Sequence, residues 1–186
     1  MEMIRSAQSI ARMKLSRRLS WDCFVVTSEM TGKKPIKLSS GIKVLPEYSL
    51  NSAPIPQSIF IPPIWGSPEV VIRKNRPLID WLIEQSNKGK EIIATGTGVC
   101  LLAEAGLLNS KIATTHWYYF DQFEKRYPKV NLKRAHFITQ DENIICTGSI
   151  NALVDLTLYF IEREFGKDVS QVIEQHYSHE INPYTE

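Results

Sequence analysis

Apolar and polar positions along this chain follow two spacings, one near four residues and one near two, and the switches between them lay out its elements. Ile4, Ala7, Ala11, Leu15 and Leu19 keep the longer spacing with Arg and Lys between them, which predicts an amphipathic helix over 4–19. Trp21 to Ser28 is almost continuously apolar and predicts a strand buried on both faces. A turn follows at 31–34, and alternation over 41–45 predicts a short edge strand. Ser58 to Pro63 predicts a second buried strand, ended by prolines that cannot donate to a ladder. Ser67-Pro68 suits the start of a short helix. Leu78, Trp81 and Leu82 then stripe a helix over 77–88, with Gly89 as its stop.

The second half repeats the alternation of strand and helix. A strand at 91–95 leads into a helix at 98–105 capped by Gly106. Lys111–Thr114 is a brief extended piece, and 116–127 predicts a helix closed by Pro128. A strand at 135–138 and a turn at 141–143 lead to a strand at 144–147. Ile150, Leu153, Val154, Leu158 and Ile161 mark a long helix ended by Gly166, and Asp168 opens a last helix. Strands alternating with helices at these lengths imply an α/β domain with a mostly parallel sheet and helices on both faces. The expected domain covers 1–176, followed by a polar tail over 177–186, with no internal repeat or linker.

The chain turns on Glu91 to Gly106. A short apolar strand breaks at Gly96 and Gly98 and becomes helical at once, the position where open α/β sheets keep ligands and nucleophiles. The residue at the apex, Gly96, has no side chain.

Composition narrows the chemistry. A net charge of +2 points neither to nor away from nucleic acid, and the basic residues crowded into the first fifth read best as a solvated helix face. Cys23, Cys100 and Cys146 are odd in number and lack metal-like spacing, which predicts reduced thiols in a cytoplasmic protein. No apolar run approaches membrane-spanning length. Gly96-Thr97-Gly98 is neither a P-loop, with no Gly-Lys-Ser/Thr, nor a dinucleotide fingerprint, with no third glycine. His136, His176 and His179 have no ligand spacing, so neither metal nor cofactor is expected.

Leu101-Leu102-Ala103-Glu104-Ala105-Gly106-Leu107-Leu108, followed by Ala113-Thr114-Thr115-His116-Trp117, resembles the ThiJ/PfpI branch of the class I glutamine amidotransferase-like superfamily. More narrowly it resembles the N-terminal domain of AraC-type regulators. Phe120 to Pro128, Ile145 to Gly148, Asp155-Leu156 and Glu162-Arg163 extend the resemblance over roughly 20–170. The resemblance implies a flavodoxin-like three-layer sandwich, usually dimeric. Its enzymes carry a cysteine on the strand-to-helix elbow and a histidine about twenty residues later. Here Gly96 stands at the cysteine position, Cys100 at an aromatic position one turn inward, and His116 at the histidine position. The family's first strand and its acidic residue would precede the helix that here starts almost at Met1, so no carboxylate is carried over.

These residues support two functional readings. The first is a non-catalytic domain that senses a small carboxylate, amine or amide and dimerises, serving a regulator whose DNA-binding part lies outside this chain. Its pocket would be lined by Trp65, Gly96, Thr97, His116, Cys146 and Thr147, with the Thr97 hydroxyl helping backbone N–H groups hold an anion. The second is a hydrolase or hydratase using Cys146 or His116 in a rearranged site. A cysteine enzyme needs an exposed thiol of lowered pKa, whereas Cys100 falls among core residues and Cys146 is expected near the pocket floor. His116 fits either a ligand donor or a helix cap.

Overall fold

The computed structural model describes residues 1–15, 21–28, 34–38 and 40–177 of the chain. The helices and strands in order are α1 (Glu2–Leu15), β1 (Val26–Thr27), β2 (Ile36–Lys37), β3 (Lys43–Val44), β4 (Tyr48–Ser49), β5 (Ser58–Ile61), α2 (Pro68–Lys74), α3 (Arg76–Asn87) and β6 (Glu91–Thr95). After a 3-10 turn at Gly96–Gly98 come α4 (Val99–Glu104) and β7 (Ile112–Ala113). A second 3-10 turn at Trp117–Tyr119 precedes α5 (Phe120–Arg126), β8 (Asn131–Leu132), β9 (Ile138–Asp141), β10 (Ile144–Thr147), α6 (Ile150–Phe165) and α7 (Lys167–Tyr177).

The chain divides into two compact units, Phe24–Leu153 and Met1–Cys23 with Val154–Glu186. The larger is built on a four-stranded sheet in the order β5-β6-β10-β9. β5, β6 and β10 run parallel, and β9 returns antiparallel through the turn after Asp141, where Glu142 takes φ 51°. Successive residues of a strand point to opposite faces. One face presents Ile59, Ile61, Ile92, Ala94, Ile144 and Cys146, which pack with Ile72 of α2, Ile79 and Leu82 of α3, and Val99 to Ala103 of α4. α4 is only six residues long, too short to persist in isolation, and every residue in it except Glu104 is buried. Packing, and not helix propensity, holds it in place.

In the smaller unit α1 lies against α7. Ala7 and Ala11, one turn apart, join Ile161, Phe165, Val169 and Ile173 in a core, where small side chains allow close helix approach. Trp21 closes over Phe165, with ring centroids 5.6 Å apart.

Several expectations from periodicity change. The 21–28 run is not a strand buried on both faces: only Val26–Thr27 pairs, with β4 and outside the four-stranded sheet, and Thr27 alone of the run is buried. The 58–63 strand is shorter and lies at a sheet edge, with Phe60 45 % exposed. The alternation at 41–45 yields Lys43–Val44, paired antiparallel with Ile36–Lys37. The strand expected at 135–138 lies at Ile138–Asp141, because Asp141 must sit opposite Ile144 to close the hairpin. The helix expected over 116–127 begins as a 3-10 turn and becomes α-helical only at Phe120. Asp168 lies inside the first turn of α7 rather than ahead of it. Positions 16–19, the turn at 31–33 and the tail from 178, with His179, lie outside the described residues.

Candidate functional site

β6 delivers its C-terminal end, buried from Ile92 to Thr95, into the Gly96–Gly98 turn. The two glycines serve different needs. Gly96 takes φ +52°, a left-handed conformation that disfavours side chains, yet a Cβ there would have room, 3.6 Å from Pro63 Cβ and 3.8 Å from His116 Cβ. Gly98 has an ordinary φ, but a Cβ would meet the Pro62 carbonyl oxygen at 2.4 Å. The loop after β5 therefore presses directly on the turn.

That loop is fastened by Thr97. Its hydroxyl accepts from the Ile64 N–H at 2.8 Å and donates to the Ile64 carbonyl at 2.7 Å. The expected contribution of this hydroxyl to anion binding is thereby corrected: its one proton is already given to protein. Thr115 donates to the Gly96 carbonyl at 2.8 Å, tying the apex to the segment that carries His116.

His116 is half-buried and precedes the 3-10 turn at Trp117, where its Nδ1 accepts from the Tyr118 N–H at 3.4 Å. In the neutral ring this leaves the proton on Nε2, so the imidazole is a cap on one side and a donor on the other. Trp117 stands in solvent and does not join the core. Trp65, expected to line a pocket, is 87 % exposed. Its neighbour Gly66 accepts a hydrogen bond from the Tyr119 hydroxyl at 2.9 Å, which links the 62–66 loop to the 117–119 turn.

On the adjacent strand, Cys146 and Thr147 pair with Ala94 and Thr95. Cys146 is fully buried, and burial pushes its thiol up to about 12, against smaller opposing effects of the Thr114 backbone and the Thr139 side chain. Cys100, packed inside α4, is also pushed up to about 12 by burial, with Arg126 pulling the other way. Burial raises Cys23 as well. No thiol here has the exposed, stabilised thiolate that nucleophilic catalysis needs. Thr147 is 0 % exposed, and its hydroxyl has no hydrogen-bond partner in the protein.

The C-terminal ends of β6 and β10 thus carry Gly96, Thr97, Cys146 and Thr147, with His116 beside the apex; Cys146 and Thr147 point to opposite faces of the sheet, and Trp65 stands in solvent. Sequence reasoning missed Thr95, the ladder partner of Thr147, and Thr115, which anchors the apex. A threonine at a strand end reads as strand propensity until a register is known. Among the described residues no three His, Cys, Asp or Glu side chains converge as metal ligands. No helix among them is long and apolar enough to cross a membrane.

A family model described as the DJ-1/PfpI family matches residues 1–163. The chain is 26 % identical over 140 residues to an isonitrile hydratase of Pseudomonas putida, covering 75 % of this chain and 59 % of that protein. It is 25 % identical over 179 residues to the HTH-type transcriptional regulator GbdR of Pseudomonas aeruginosa, covering 96 % of this chain and 46 % of the regulator. The chain therefore spans about half the length of the curated relatives it matches. Among solved structures, a putative transcriptional regulator from Vibrio parahaemolyticus superposes with a TM-score of 0.80 at 26 % identity, covering 95 % of this chain and 88 % of that one. The fold is the flavodoxin-like α/β fold.

Proposed function

This chain belongs to the DJ-1/PfpI family, and from that premise we propose that it is the small-molecule-sensing and dimerisation domain of an AraC-type transcriptional regulator, without catalytic activity of its own. The observation that carries this reading is the apex of the elbow. Gly96 offers only backbone where a nucleophile would stand, and the thiols of the two neighbouring elements, Cys100 and Cys146, are buried with pKa values near 12. Similarity to helix-turn-helix regulators supports the regulatory role. Ligand binding at the strand ends would bias the arrangement of two subunits, and a DNA-binding region outside these residues would read that arrangement.

A second reading is favoured by the isonitrile hydratase relative: a hydratase working through His116 or Cys146. One experiment separates the two. The purified chain is incubated with an alkyl isonitrile, and formamide release is followed. It is also screened by thermal shift against small carboxylates, amines and amides. The sensing reading expects no turnover and a raised melting temperature with one ligand class. Turnover that disappears in His116→Ala or Cys146→Ala overturns it. Light scattering checks the dimer, and a monomer at micromolar concentration overturns that part.

A further inference from the structure

Six buried threonines crowd the C-terminal end of the four-stranded sheet: Thr95, Thr97, Thr114, Thr115, Thr139 and Thr147. Three of their hydroxyls have an evident use. Thr97 is closed on Ile64 in both directions. Thr115 donates to the Gly96 carbonyl and Thr114 to the His136 carbonyl, each at 2.8 Å. Thr139 sits opposite Cys146 in the β9–β10 ladder, and its hydroxyl is also buried without a hydrogen-bond partner, but it shares the sheet face of the Cys146 thiol, away from Thr147. Thr147 has none of these, and its hydroxyl is buried and unpaired. Buried polar groups are almost always hydrogen-bonded, so such a hydroxyl is a mark of something it is there to meet. Gln85 Oε1, also buried and unpaired, belongs to the other end of the sheet, where the Gln85 carbonyl accepts from Lys90 just ahead of β6.

Thr147 is placed where a ligand in an α/β sheet is expected. It is the ladder partner of Thr95, so the two side chains leave the same face of adjacent parallel strands, about 5 Å apart. Each strand breaks at the next residue, at Gly96 and Gly148. Three residues beyond Thr147, α6 begins at Ile150, and the Ser149 hydroxyl accepts from the Ala152 N–H at 3.1 Å. The N–H groups of Ile150 and Asn151 precede the first intrahelical bond of this sixteen-residue helix, and a helix start favours negative charge. The two N–H groups can only donate and the threonine hydroxyls can donate as well, which together with the helix start suits an acceptor of negative charge.

We propose that Thr147, with Thr95 beside it and the first turn of α6, is the anchor for the carboxylate of the sensed ligand. This rests on the sensing role proposed above and narrows its ligand to a small carboxylate. The anchor is one strand over from the Gly96 turn, where resemblance directs attention.

The test uses the 15N-labelled chain titrated with sodium acetate against sodium chloride at equal ionic strength. The amide signals of Thr147, Ile150 and Asn151 shift saturably with acetate and not with chloride. Thr147→Val, which keeps the shape and removes the hydroxyl, weakens acetate at least tenfold and melts no lower than the parent chain without ligand. Thr147→Ser keeps acetate binding, and Thr95→Val gives a second, smaller weakening. Shifts that do not saturate, that chloride reproduces, or that Thr147→Val leaves unchanged overturn the proposal. A saturable acetate site at Thr147 in a chain whose association state never responds to acetate keeps the anchor and removes the sensing role. An amine that shifts association while acetate stays silent does the reverse.

Discussion

Two strand-to-helix turns stand side by side in this molecule, Thr95 to Gly98 after β6 and Thr147 to Ser149 after β10, on strands paired residue for residue. Both have a threonine, then a glycine, then the start of a helix. The first is closed: Gly98 leaves no room for a Cβ beside the Pro62 carbonyl, the Thr97 hydroxyl is held in both directions by Ile64, and the Gly96 carbonyl is taken by Thr115. The second keeps one hydroxyl without a protein partner. Similar local sequence therefore yields a structural joint in one case and available polar chemistry in the other. Neighbouring loops decide which, and the strand-helix pattern does not.

The largest expected effect concerns the thiols that flank these turns. Raised from 9.0 to about 12, Cys100 and Cys146 should alkylate about a thousandfold more slowly at pH 8 than an unperturbed cysteine. Mass spectrometry after iodoacetamide treatment reads this directly, and fast labelling of either would undo the contrast with a cysteine enzyme. The same shift carries a sign for stability. The unfolded chain loses these protons first, so urea midpoints should hold up to about pH 9 and fall from there toward pH 12.

Next in size is Gly98→Ala. A methyl group 2.4 Å from a carbonyl oxygen forces the turn and the 62–66 loop apart, a loss of about 3 kcal/mol in chemical denaturation. Thr97→Val follows at about 2 kcal/mol, because it leaves both the Ile64 N–H and C=O unpaired. Faster amide exchange at Ile64 should accompany that loss. Gly96→Ala has room for its methyl and bears mainly the cost of its positive φ, about 1 kcal/mol. If Gly96→Ala proves costlier than Gly98→Ala, the division of labour between the two glycines is wrong. The smallest effect is Thr147→Val, neutral or stabilising by up to about 1 kcal/mol, since it removes an unpaired buried hydroxyl and leaves the packing intact. A clear loss of stability there would mean that the second turn is as closed as the first.

Much of this arrangement is legible in the residues alone. Glu91 to Thr95, the double-glycine turn and the α6 stripe each carry a strong local signal, and each sits where its pattern puts it. The family is legible in the Leu101–Leu108 and Ala113–Trp117 stretches. Residues 21–28 mislead because a continuous apolar run states a preference for burial without naming a partner strand. The paired strands at 36–37, 48–49 and 131–132 are two residues long, below the length at which alternation can be recognised. The use of each threonine is invisible in sequence, since it depends on which carbonyl a distant loop brings within 3 Å.

The Tyr119 hydroxyl grips the Gly66 carbonyl, so the stretches bearing Trp65 and Trp117 are stitched at one point while both indoles stand in water. Two of the chain's four tryptophans thus ride on a shared mount. A disturbance of either stretch should register as one correlated change in emission, readable without attaching any dye.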